Sequence, residues 1–259
     1  MNKSLVFLAI FFVFSFRFLH SQEPKTISID EIIHKVKEQN KRQKEYLKDY
    51  ICKSSETSRK LDDKGKVKSV EEVEKKIFGK GDLEHEEILS IKKDGKFSDE
   101  KEMKKRQEEQ DKLERGEKEA KNSGESFSFD IEEERDFYLI KEDTLNGHPT
   151  YLLKAEPKKE KEKSFDWLYW IDQKSFGVLK VELKLAKKQK YLKDMKIELD
   201  FQEFEIKDPI ATLIFLPVLF KMKGEGKFLF IKRNFEMEQK RDNYQLNTGF
   251  SDEIFGRRK

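Results

Sequence analysis

Between Gly147 and Tyr244 the chain alternates apolar and polar residues in runs of strand length. At its centre, residues 164–184 read SFDWLYWIDQKSFGVLKVELK. Aromatic and β-branched positions broken by Asp, Lys, Ser and Gly are the pattern of antiparallel strands with one buried face. Phe165, Trp167, Tyr169 and Ile171 fall on one side of such a strand, and Leu168 and Trp170 on the other. The same period predicts strands over 150–156, 166–172, 178–185, 194–206, 213–221 and 227–244. Long strands in succession favour a strongly curled sheet or partial barrel over a flat one.

Upstream the period is first helical. Ser28-Ile29-Asp30-Glu31 is a capping box, with Ile27 and Ile32 placed as a hydrophobic staple. A helix is expected over 28–49. Ile29, Ile32, Ile33 and Val36 make its apolar stripe, Tyr46, Leu47 and Tyr50 resume it, and the polar middle at 37–45 faces water. From Asp49 the period falls to two. Strands are expected over 50–57, 67–78 and 86–93, separated by the turn signals Asp62-Asp63-Lys64-Gly65, Gly79-Lys80-Gly81-Asp82 and Lys93-Asp94-Gly95-Lys96.

Residues 98–125 are a different material, with Met103, Leu113 and Ala120 as their apolar side chains. Acid-before-base pairs such as Glu102 with Arg106 and Glu114 with Lys118 are worth about 0.2–0.5 kcal/mol each. They support an exposed charged helix that is not a coiled coil. Strand character returns over 127–131 and 136–141, before the turn at Asn146-Gly147. The most apolar later run, 210–220, is too short for a membrane helix and is interrupted by Pro217. It reads as a strand covered on both faces, or one whose outer face meets a ligand or a membrane.

Composition narrows the function classes. Charged residues are 41% of 259 and hydrophobic ones 36%, with a formal charge of only +3. That near balance argues against a nucleic-acid binder, which needs a basic surplus on one face. The first residues read as a secretory signal peptide over 1–21: Lys3, an apolar run over 5–16, and Leu19-His20-Ser21 before Gln22. Its removal takes two cations and no acid, lowering the charge from +3 to +1. The expected compartment is periplasmic or secreted. Cys52 is the single cysteine, so no internal disulfide is available. It reads as a small buried hydrophobe in a strand, the alternative being a reactive thiol.

No catalytic motif stands out. His34, His85 and His148 lack metal-ligand spacing, and His85 beside Glu87 gives only a weak cation signal. No nucleophile elbow or phosphate loop occurs. No metal, cofactor or enzymatic activity is therefore expected. The aromatic residues read either as core or as the lining of an apolar cavity between sheet and helix. The candidate ligand-binding residues are Trp167, Tyr169, Trp170, Phe201, Phe215 and Phe230, with Phe204 nearby.

Several segments together resemble a known family: Tyr50-Ile51-Cys52, Leu61 to Val67, Lys93-Asp94-Gly95-Lys96, Tyr151 to Pro157, Leu168-Tyr169-Trp170-Ile171-Asp172 and Leu216-Pro217. They are similar to uncharacterised bacterial envelope proteins of the LolA/LolB-like superfamily, the outer-membrane lipoprotein-sorting proteins. The resemblance implies an α+β, mostly antiparallel fold, a curled sheet or unclosed β-barrel wrapped over the N-terminal helix. The expected division is a 22–27 linker, one domain over 28–246 with the charged helical insertion at 98–125, and a C-terminal tail over 247–259. It also implies a non-enzymatic carrier for a lipid or lipoprotein acyl chain, with peripheral membrane contact. Two rivals stay open: an envelope structural or sensor protein with a solidly packed sheet, whose charged helix recruits a protein partner, and a hydrolase whose site is assembled across strands.

Overall fold

A computed structural model describes residues 27–122, 135–158, 165–187, 192–207, 210–228 and 231–255. The signal segment at 1–21, the expected strand at 127–131 and Phe230 lie outside these residues. Helix α1 (Ile29–Tyr46) leads into β1 (Tyr50–Leu61), β2 (Val67–Lys80), β3 (Leu83–Lys93) and the short β4 (Lys96–Phe97). Helix α2 (Glu100–Asn122) precedes β5 (Arg135–Leu145), β6 (His148–Pro157), β7 (Phe165–Asp172), β8 (Val178–Leu185), β9 (Leu192–Ile206), β10 (Thr212–Phe228) and β11 (Ile231–Leu246). A 3-10 turn at Asp252–Phe255 follows.

The strands form one eleven-stranded antiparallel sheet in the order β4-β3-β2-β1-β11-β10-β9-β8-β7-β6-β5. The chain enters at β1, builds outward to the β4 edge, lays α2 along β3, resumes at the opposite edge with β5, and returns to place β11 against β1. The two edges are not bonded to each other, so the barrel is unclosed as the sequence resemblance implies.

Ser28 Oγ accepts the Glu31 amide at 3.2 Å and starts α1 where the capping box places it. Ile32 and Val36 are fully buried against Leu153 and Ala155 of β6, Trp167, Tyr169 and Ile171 of β7, Val181 and Leu183 of β8, and Ile197 and Leu199 of β9. This is the main core, and α1 covers only that half of the inner face. The polar middle of α1 departs from expectation, because Gln39 is buried. Gln39 Nε2 donates to the Leu213 carbonyl at 2.6 Å, and Gln43 both accepts the Phe215 amide at 2.7 Å and donates to its carbonyl at 3.2 Å. The reason lies in the register: β10 pairs with β11 only from Leu219 onward, so these backbone groups need partners and the glutamines supply them.

The charged helix solves the same problem at the sheet edge. Strand β4 pairs only with Lys92 and Lys93, leaving the middle of β3 uncovered. Gln107 of α2 accepts the Ile88 amide at 2.8 Å and donates to the Glu86 carbonyl at 2.8 Å, while Glu114 accepts the Glu86 amide at 2.9 Å. Arg106 reaches Glu71 of β2 at 3.3 Å. The helix is thus an edge cover as well as a solvated surface. The strand expected over 213–221 also runs further than its sequence spacing suggests. Residues 222–226 continue β10 through Gly224, whose open face is filled by the Phe235 ring: a Cβ added there would lie 2.5 Å from it. Among the described residues no helix is long and apolar enough to cross a membrane.

Candidate functional site

Beyond the half covered by α1, the inner face carries an open cavity of about 630 Å³. One wall is apolar: Leu199 and Phe201 of β9, Pro217, Leu219 and Phe220 of β10, and Met237 of β11. The facing wall is polar: Glu56, Lys75, Glu84, Glu86, Gln239 and Arg241, with Gln110 and Glu114 of α2 at its rim. Strand pairing brings these together. Cross-strand partners set Glu56 beside Val73 and Gln239, Ser54 beside Lys75 and Arg241, and Phe220 beside Leu199 and Gln239.

The polar wall is internally matched. Lys75 Nζ donates to Glu56 and Glu86, each at 2.8 Å, and all three side chains are nearly buried. Burial works against the ammonium, but Glu86 and Glu56 outweigh it, so its pKa lies above the ordinary lysine value and it stays charged. Arg241 makes a two-pronged pair with Glu84 at 2.8 and 3.2 Å, and the Tyr50 hydroxyl donates to the same carboxylate. Burial, then Glu84, push the Tyr50 phenol well above its usual range. The Tyr50 ring reaches this position by lying over Gly79, where an added Cβ would be only 2.2 Å away. A lysine and an arginine held in their charged forms cannot serve as bases or nucleophiles. The arrangement suits holding a molecule, apolar on one side and polar on the other.

The residues expected to line a cavity are spread over different environments. Phe201 lines it. Trp167 and Tyr169 pack in the main core beneath α1, their rings stacked at 6.1 Å, with the Arg135 guanidinium 4.0 Å over Trp167. Trp170 points from the opposite face of β7, and Lys180 lies 5.6 Å above its ring. Phe215 is buried against Gly177, and Phe204 joins a separate cluster with Ile206, Ile214, Leu216 and Tyr244. The alternation of Leu199 and Phe201 was the usable signal. The polar wall gave none, since its members read as solvated charge.

Two further polar clusters draw on histidine. His148 Nδ1 lies 3.3 Å from Asp172, and the Ser175 hydroxyl donates to the same aspartate at 2.7 Å. The serine bonds to the acid and not to the histidine, so this is a closed turn and not a charge relay. At the rim of the cavity, where Glu114 also lies, ligand atoms of His85, Asp111 and Glu114 are within 4.8 Å of one another, a set able to hold a metal ion. Neither carboxylate of that set is close to His85 in sequence. Cys52 is buried beside Tyr50 and Ile77, and burial pushes its thiol pKa up to about 11.

No curated protein matches the chain. Several solved structures are similar to it. An outer membrane lipoprotein-sorting protein domain from Vibrio parahaemolyticus is 12% identical, with 86% of this chain and 95% of that one covered and a TM-score of 0.42. A DUF1329 family protein from Desulfovibrio piger is 16% identical, covering 90% and 98%, with a TM-score of 0.46. A LolA superfamily protein from Nitrosomonas europaea is 10% identical, covering 89% and 98%, with a TM-score of 0.35. A family model described as "Uncharacterized protein" matches residues 110–259, from the middle of α2 through β5 to β11, and the chain belongs to that family.

Proposed function

We propose that this is an exported, non-enzymatic binding protein that shelters an amphipathic ligand, a lipid or a lipoprotein acyl chain, in the cavity of its unclosed sheet. The observation that carries this reading is the open space of about 630 Å³ beside a well-packed core. Its size falls in the range of small-molecule sites, and one wall is formed by Phe201, Phe220, Leu199 and Met237. Each methylene laid against that wall contributes about 0.8 kcal/mol, so longer chains are held more tightly. The apolar run at 5–16, with Lys3 before it, supports export. The sequence motifs similar to the lipoprotein-sorting superfamily point to the same ligand class.

The test is binding of a fluorescent fatty-acid analogue to the purified chain. Phe201→Glu or Phe220→Glu is expected to weaken binding at least tenfold, about 1.4 kcal/mol, while Trp170→Glu on the outer face leaves it unchanged. No saturable binding, or equal loss with Trp170→Glu, contradicts the reading.

A second reading is favoured by the matched ion pairs of the polar wall, which leave its charges satisfied without a ligand. It is an envelope interaction protein with no small-molecule cargo, docking a protein partner through α2. Substitutions on the exposed face of α2 then abolish partner capture while the cavity variants do not.

A further inference from the structure

We propose that His85, Asp111 and Glu114 form a binding site for a divalent transition-metal ion that fastens α2 to the β3 edge of the sheet. The three donors come from two elements: His85 from β3, and Asp111 and Glu114 from α2, three residues apart and so on one face of the helix. Their ligand atoms lie within 4.8 Å of one another. Metal-to-ligand bonds of about 2.0–2.2 Å bring donors to roughly 3–4 Å apart, so side-chain movements of about an ångström complete the site.

Each donor is held by a neighbour that does not itself ligate. Gln107 donates to Asp111 at 2.8 Å, and that glutamine is fixed in turn by the backbone of Glu86 and Ile88. The Glu86 amide binds one oxygen of Glu114 at 2.9 Å, leaving the other directed at His85 Nδ1, also 2.9 Å away. Phe78 stacks on the His85 ring at 6.2 Å and 28°. Supporting bonds of this kind orient ligands in metal proteins. The cluster borders an open cavity of about 910 Å³ between α2, β3 and the 3-10 turn, which gives room for water to complete the coordination.

One imidazole nitrogen with two carboxylate oxygens selects zinc and similar first-row ions over calcium or magnesium, which prefer all-oxygen sites. Binding replaces the hydrogen bond between His85 and Glu114 with two bonds to the metal. The helix is then tied to the strand whose edge it covers.

The test is titration of the full chain with Zn²⁺ alone, followed by Co²⁺ to read the coordination sphere from its absorption. One saturable Zn²⁺ per chain is expected. His85→Ala and Asp111→Asn are each expected to weaken binding at least about tenfold, and His34→Ala to leave it unchanged. Amide exchange at Ile88 should slow on adding Zn²⁺ in the wild type but not in His85→Ala, a readout that also verifies that the variant is folded. Absence of saturable binding, or binding indifferent to both substitutions, overturns the site and leaves an ordinary ion pair.

Discussion

At the residue scale the polar wall of the cavity is the costliest part of the molecule to disturb. Lys75 sits between two nearly buried carboxylates, and Lys75→Met would leave both without their cation. Removing one partner of a buried pair costs about 3–5 kcal/mol, so this substitution is expected to lower the denaturation midpoint more than any change on the outer face. Chemical denaturation with and without the substitution measures it. Asp172 offers a pH test. Burial raises its pKa, but bonds from Ser175, Lys174 and His148 overcome this and leave it below the ordinary value of 3.8. A group whose pKa is depressed on folding stabilises the native state fully above its unfolded pKa and loses that contribution as pH falls through the folded one. Asp172→Asn is therefore expected to destabilise the protein near neutral pH, with the difference shrinking below about pH 4; acid-unfolding curves of the two forms check this. Cys52, buried and with its thiol pushed up to about 11, should react with thiol reagents only as fast as the protein opens.

At the scale of elements, two helices do one job with the same chemistry. In α1, Gln39 and Gln43 bond the part of β10 that β11 does not reach; in α2, Gln107 and Glu114 bond the part of β3 that β4 does not reach. Gln43→Ala removes both partners of Phe215 in that gap and is expected to cost about 1–3 kcal/mol. Hydrogen exchange at Phe215 should rise in this variant while exchange in β7 and β8 stays slow. The start of α1, the hairpins and the sheet's antiparallel character were legible in the capping box, the turn residues and the period of two. What escaped was everything set by where strands run out of neighbours. A glutamine in a charged stretch looks solvated until the register shows which backbone groups await it. The expected strand similarly stops at 221, short of the glycines of β10, because the ring that covers Gly224 belongs to the next strand.

At the scale of the molecule, the sheet order places the first strand beside the last and leaves the two edges apart. Helix α1 fills half of the inner face, and the remaining half carries the cavity. Phe201 was recoverable from strand alternation. The rest of the lining was not, since Glu56, Lys75, Glu84, Glu86 and Arg241 come from four strands and resemble a surface one strand at a time. The aromatic run at 165–171, the strongest signal in the sequence, forms the packed base on which α1 rests. The C-terminal segment also has a structural part: Asp49, at the junction of α1 and β1, accepts the amides of Thr248 and Gly249 at 2.6 and 2.9 Å.

The central claim is that the uncovered half of the inner face holds an apolar chain. Native mass spectrometry of the protein purified gently from an envelope extract, followed by solvent extraction, tests it most directly. The expected result is an adduct of lipid mass that is released by solvent, retained by the Trp170→Glu variant and lost from Phe220→Glu. A mass equal to the bare polypeptide, with no uptake of offered acyl lipids, contradicts it.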